Sequence, residues 1–162
     1  KNVRALHGGL GDITPANGSY DPRLLNKKSR MVTFGTKTGS SMYPVFSIDA
    51  LFRNATLSLA HLDVEGHEPQ VLKGATRTIG RDRPILVTES HERHAPLAHN
   101  QTMCTLHHFD YEAYRLEKPC GRWRDCRNYV SIPKELVNIN ALLKILWATS
   151  ILPHCPPSAR TL

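Results

Sequence analysis

The chain has 162 residues, 40% of them hydrophobic and 22% charged, so it is long enough for one domain with a core and excludes a disordered or low-complexity composition. Its formal charge of +7 suits an acidic partner such as RNA, an anionic membrane surface or an acidic neighbour subunit, and equally serves solubility. The densest basic run of the first half, Asn26 to Arg30, is too short for a nucleic-acid arm, so nucleic acid is not the expected partner.

The chain opens on Lys1 without a signal-peptide pattern and is read as processed or incomplete. In chain order, "NVRALHGGLGD" (Asn2 to Asp12) predicts a short strand over Val3 to Leu6 running into a glycine turn. Thr14 to Lys28 is polar, aperiodic and read as a loop. "RMVTFGT" and "YPVFSID" are β-like runs joined through "KTGSS" as a hairpin, and "DALFRNA" predicts a short helix capped by Asp49. "ATLSLAHLDV" is apolar enough for a buried parallel strand ending at Val64. "EPQVLKGATRTIGRD" predicts one helix, with Pro69 at its start, Val71, Leu72, Ala75 and Ile79 on one face, and Gly80 as its stop. "PILVTES" is a second apolar strand, so the stretch reads as a βαβ unit.

Beyond Ser90, "ERHAPLAHNQTMCTLHHF" reads as a loop and a helix with Met103, Leu106 and Phe109 on its apolar face. "YEAYRLE" and "NYVSIP" are the last two strands, joined by the basic loop "KPCGRWRDCR". Trp123 among arginines there offers a stacking platform for RNA, against the plainer reading of a solvated loop. The tail "VNINALLKILWATSIL" reads as an apolar helix, interrupted by Lys144 and short of the about 20 residues a membrane span needs. It packs on its own domain, docks on a partner or lies at a membrane surface. These elements divide the chain into 1–135 and a tail, 136–162.

Four cysteines, at 104, 120, 126 and 155, form no CxxC pair, which argues against a zinc knuckle. Cys120 and Cys126 span a loop that a disulfide would close in an oxidising compartment; reduced thiols are the expectation. Asn17, Asn54 and Asn100 begin N-x-S/T sequons, which matter only in a secretory lumen.

Ligands of open α/β sheets bind beyond the carboxyl ends of parallel strands. Asp63 and Glu65 lie at one such end, and Glu89 and His91 at the next. Charges at a half-buried strand end are costly unless paired or used, so these side chains are expected to line one crevice. His61, His67, Glu92 and His94 enrich the segment, yet no tight metal motif is present and no metal is expected.

"SIDALF" followed by "LAHLDVEGHEPQVLKGATRTIGRDRPILVTES" closely resembles the core of FkbM-type methyltransferases, whose pattern joins a "KIDVEGaE…vLkGa" stretch to "rPvl..E". "NVRALHGGLGD" resembles the segment before that core, and "NYVSIP" a terminal strand. The resemblance covers most of residues 2 to 132 and is densest over 45 to 90. It implies an α/β, class I methyltransferase (Rossmann-like) sheet with helices on both faces, S-adenosylmethionine as cofactor, and methyl transfer to a hydroxyl of a sugar or small metabolite. It places Asp63 beside donor and acceptor, Asp12 near the adenine, and Asp63, Glu65 and Glu89 as catalytic carboxylates. Glu68 and His91 fall on the substrate side. The family's first strand, glycine-rich loop and ribose-binding acid do not occur in residues 1–162, so the sheet is expected to be incomplete, with a hole or an exposed apolar edge. The chain as it stands is accordingly expected to be inactive. The alternative is a non-catalytic subunit that offers this scaffold to a protein partner at the sheet edge and the C-terminal helix.

Overall fold

The computed structural model describes residues 5–6, 9–12, 32–36, 39–43, 45–119, 126–139, 148–151 and 155. The polar loop of 14–28 and most of the basic loop after Pro119 lie outside them. The first strand, β1 (Gly9–Leu10), falls in the glycine segment rather than over Val3 to Leu6; Ala5 and Leu6 are exposed and outside any strand. β2 (Val32–Thr36) and β3 (Gly39–Tyr43) form the expected antiparallel hairpin, but its returning strand is "GSSMY". Val45–Phe46 (β4) pairs instead in parallel with β1, and Gly11 N–H extends that pairing by donating to Phe46 O at 2.9 Å.

Asp49 does not cap the helix that contains it. α1 (Ile48–Leu51) is capped by Ser47, whose Oγ accepts from Ala50 N–H at 3.2 Å. After β5 (Leu59–Leu62), the single helix expected over 68–80 is two: α2 (Glu68–Lys73) and α3 (Thr76–Asp82). The Asp49 carboxylate caps the second, accepting from Thr78 N–H at 2.7 Å and Arg77 N–H at 3.1 Å, where the helix dipole favours an anion. The helix breaks at Gly74 because another segment presses on it. Gly74 O accepts from Asp49 N–H at 2.9 Å, and a Cβ at Gly74 would stand 2.2 Å from Gly11 O. Gly80, expected to stop the helix, lies inside α3. The stop is Arg83, in the left-handed region at φ 53°. Its guanidinium holds it there, bonding Glu135 and Phe109 O, each at 2.6 Å, and lying 4.7 Å over the Tyr111 ring.

β6 (Ile85–His91) then runs parallel to β5, completing the βαβ unit. α4 (Pro96–His108) buries Leu106 in the core that Phe109 packs against, and Met103 in a separate cluster with Ala113 and Tyr129. β7 (Tyr111–Pro119) and β8 (Cys126–Pro133) follow, then a 3-10 turn over Lys134–Ile139. Ala148–Ile151, within the tail read as helix, is a strand, β9, paired antiparallel with β7.

These strands build a mixed five-stranded sheet in the order β5-β6-β8-β7-β9, in which β5 and β6 are parallel and the other pairs antiparallel. β5 is its outer strand and Leu59 on it is 62% exposed, which gives the sheet an apolar edge among the described residues. Among the described residues, helices do not cover both faces. Ile48, Val71, Leu72, Ile79 and Leu106, from all four helices, meet Leu62, Leu86 and Tyr111 in one core. On the opposite face Tyr114 and Ile132 gather Ile85 and Val130, and no described helix contributes to that cluster. Leu72, Val71 and Ile79 are fully buried, each contributing about 1.5–3 kcal/mol.

Thr88, at the centre of β6, is fully buried and its hydroxyl has no hydrogen-bond partner among the described residues. A buried hydroxyl without a partner keeps its desolvation cost. Thr88→Val, which replaces that hydroxyl with a methyl group, is expected to stabilise the fold by about 1 kcal/mol in a urea titration. An unchanged or lowered midpoint would mean that the hydroxyl is satisfied.

No helix among the described residues is long and apolar enough to cross a membrane.

Candidate functional site

Register places the acids. Leu62 pairs with Thr88 across the parallel strands, so Asp63, the next residue, comes level with Glu89 on the side of the sheet that also carries His61 and His91. Asp63, Glu65, Glu68, Glu89 and His91 all line one crevice at the carboxyl ends of β5 and β6, and His94, Ala95 and Ala98 close it from the start of α4.

The turn that carries Glu65 is built by "DVEGHE". His67 N–H donates to Val64 O at 3.2 Å, closing a turn whose central residues both have positive φ: Glu65 at 52° and Gly66 at 89°. Glycine adopts that conformation freely; Glu65 is held in a sparsely populated region. What holds it is Glu68, 4% exposed at the start of α2. Its Oε1 accepts from Val64 N–H at 3.3 Å and Gly66 N–H at 3.4 Å. Glu68 therefore lines the crevice but spends its carboxylate on the turn's amides, shaping the loop that presents Glu65.

Glu89 is 22% exposed and its pKa is raised. Burial is the main cause, and the negative charges of Asp63 and Glu65 add to it; His91, 3.8 Å away, and His61 act in the opposite direction. Glu89 thus holds a proton more readily than an ordinary carboxylate, the property a general base needs. Asp12 is not part of this group. It pairs with Lys73 Nζ at 3.0 Å and is not among the residues lining the crevice.

The cysteines correct the expectation of reduced thiols. Cys104 and Cys155 are joined in a disulfide, and Cys126 is also disulfide-bonded; Cys120 lies outside the described residues. Cys126 Sγ lies 2.9 Å from Glu89 Oε1, and Glu89, His91 and Cys126 bring ligand atoms within 4.8 Å of one another. An oxidised sulfur carries no proton to donate and no thiolate to ligate a metal. Its contact with Glu89 therefore provides neither a thiol hydrogen bond nor a metal ligand.

A second polar group behind the crevice escaped the sequence reading. Ser90, also lining the crevice, bonds His99 Nδ1 at 3.0 Å, and the His99 ring lies 5.0 Å from Tyr129. The Tyr129 hydroxyl donates to Glu92 Oε1, which also pairs with Arg115 at 3.5 Å. Burial lowers the pKa of His99, with Glu92 partly offsetting it. Burial also pushes Glu92 up, but Tyr129 and Arg115 outweigh it and hold the pKa below its ordinary value. Strand alternation in β6 signals that Ser90 faces inward; nothing in the sequence places His99 beneath it.

A mixed α/β sheet with acids converging at the ends of parallel strands is compatible with a Rossmann-like scaffold of the methyltransferase kind. The model of the methyltransferase FkbM domain family matches residues 14–113, and the chain belongs to that family. No curated protein and no solved structure matches it.

Proposed function

We propose that the crevice is the acceptor site of an S-adenosylmethionine-dependent O-methyltransferase and that Glu89 removes the proton from the acceptor hydroxyl. The observation that carries this reading is the convergence of Asp63 and Glu89 on one crevice, with Glu89 made more basic by its setting. The acids suit the reactive end of the cofactor: S-adenosylmethionine would supply an electrophilic methyl on a cationic sulfonium, and Asp63 and Glu65 would offset that positive charge. A small hydroxylated metabolite or sugar fits on the side lined by His91 and His94. Glu68 acts on the substrate through the turn it fixes, and Asp12 contributes through its pairing with Lys73 to the α2 region. Orientation of the acceptor by these fixed groups supplies rate in addition to proton removal.

The test combines calorimetric titration with S-adenosylmethionine and methyl transfer to hydroxylated acceptors from label on the donor. With Glu89 as base, kcat/KM should rise with pH as Glu89 ionises, at a midpoint above the ordinary carboxylate range. Glu89→Gln should remove that rise while donor binding persists. Absence of donor binding would overturn this reading in favour of a non-catalytic scaffold. One observation favours that second reading: β5 is the outer strand and exposes Leu59, an edge suited to pairing with a partner's strand.

A further inference from the structure

The turn after α1 carries chemistry that methyl transfer does not use. Asn54, Ala55 and Thr56 form a sequon, and both Asn54 and Thr56 are exposed. Arg81 fixes the turn around them: Nη2 donates to Phe52 O and Ala55 O, each at 2.8 Å, and Nη1 to Arg53 O at 3.3 Å. The backbone carbonyls of the turn are thereby engaged inward while the Asn54 side chain remains at the surface. A second, independent observation concerns the cysteines. Cys104 and Cys155 are bonded to each other across 51 residues and Cys126 is bonded too, a pattern that forms and persists in oxidising compartments and is rare in the cytosol.

We propose that this chain matures in an oxidising, glycan-transferring lumen and carries an N-linked glycan on Asn54. Each disulfide forms as two thiols give up two protons and two electrons to a thiol–disulfide oxidant of that compartment. Glycosylation joins Nδ2 of Asn54 to the anomeric carbon of a lipid-pyrophosphate-linked oligosaccharide. The anomeric C–O bond breaks, the lipid pyrophosphate departs, and the amide proton passes to a base of the transferase. The glycan is bulky and solubilising and needs a surface turn, which Phe52 to Ala55 provides. It also leaves the crevice open, since Asn54 precedes β5 and the crevice lies beyond that strand's carboxyl end. Asn100 begins a second sequon and is exposed on α4, but Thr102 is 1% exposed, so in the folded chain that sequon is closed. Asn54 remains open in the fold.

The test uses the natural protein, purified from its source with free thiols alkylated before any reduction. Digestion with peptide N-glycosidase in heavy-oxygen water should convert residue 54 to a labelled aspartate. Cys104 and Cys155 should be recovered as one linked peptide pair. When the full chain is re-expressed in the same cells, Asn54→Gln and Thr56→Ala should each raise electrophoretic mobility by the loss of one glycan, and Thr56→Ser should retain it. Recovery of residue 54 wholly unmodified, or alkylation of Cys104 before reduction, overturns the proposal. A Thr56→Ser variant that behaves like Thr56→Ala would do so as well, because the sequon accepts either hydroxyl.

Discussion

Gly74→Ala is expected to destabilise the fold by about 2–3 kcal/mol, seen as a lower midpoint in urea with the slope unchanged. Two effects of opposite sign compete at this position. Alanine is the better helix former by about 1 kcal/mol and would favour joining α2 to α3. Against that, the new Cβ would lie 2.2 Å from Gly11 O and 2.9 Å from Gly11 C. Both are backbone atoms, so no side chain can swing away, and the β1–β4 pair or the helix break must move. Steric cost wins because moving Gly74 also disturbs the hydrogen bond at the junction: Gly74 O is the acceptor for Asp49 N–H, and Asp49 in turn caps α3. Gly80→Ala is the internal control. Nothing lies within 4 Å of a Cβ there, and Gly80 is inside α3, so this change should stabilise by about 0.5–1 kcal/mol. Two Gly→Ala changes six residues apart should therefore have opposite signs. A Gly74→Ala protein within 0.5 kcal/mol of the parent would show that the Gly11 contact is not made.

That pair also shows how far the sequence could be read. Periodicity identified the helical face of Val71, Leu72, Ala75 and Ile79, and all four are buried as expected. It failed on the two glycines, because the reason for Gly74 lies in Gly11, 63 residues earlier, and the reason for the helix stop lies in Arg83's bonds to Glu135 and Phe109. The strand ends at Asp63 and Glu89 were legible because parallel register and alternation are local rules, and one step past Leu62 opposite Thr88 brings the two acids level. The Lys73 partner of Asp12 was not legible for the converse reason. The position of Asp12 depends on how the glycine segment docks against α2, and there it meets Lys73. Residues 148–151 read as helix because apolar residues serve helix and strand alike; pairing of Ala148–Ile151 with β7 decides between them, and that partner is invisible in a local window. Ser90 and His99 belong to the same class, since only the packing of α4 on β6 brings them within 3.0 Å.

Cys155→Ser should cost about 4 kcal/mol of stability under non-reducing conditions, the largest single effect expected outside the core. The disulfide joins residues 51 apart, and closing a loop of that length removes conformational entropy from the unfolded chain worth about 4 kcal/mol at 25 °C. The loop contains β7, β8 and β9, so the tether also restrains the edge strand that closes this side of the sheet. Serine is the informative substitution at 155, a half-buried position where a hydroxyl can reach water. Cys104 is left as a thiol that is 5% exposed on α4, where it behaves as a small apolar group, so no unpaired charge or strongly polar atom is created. The loss should therefore come from the freed unfolded chain, and the urea slope should rise as that chain exposes more surface. Reducing the parent protein should cost more than the substitution, because Cys126 is released as well. A loss under about 1 kcal/mol would show that the unfolded chain gains little freedom when residues 104 and 155 part. The same measurement bears on compartment: a fold that loses about 4 kcal/mol of a typical 5–15 kcal/mol on reduction is one suited to an oxidising environment.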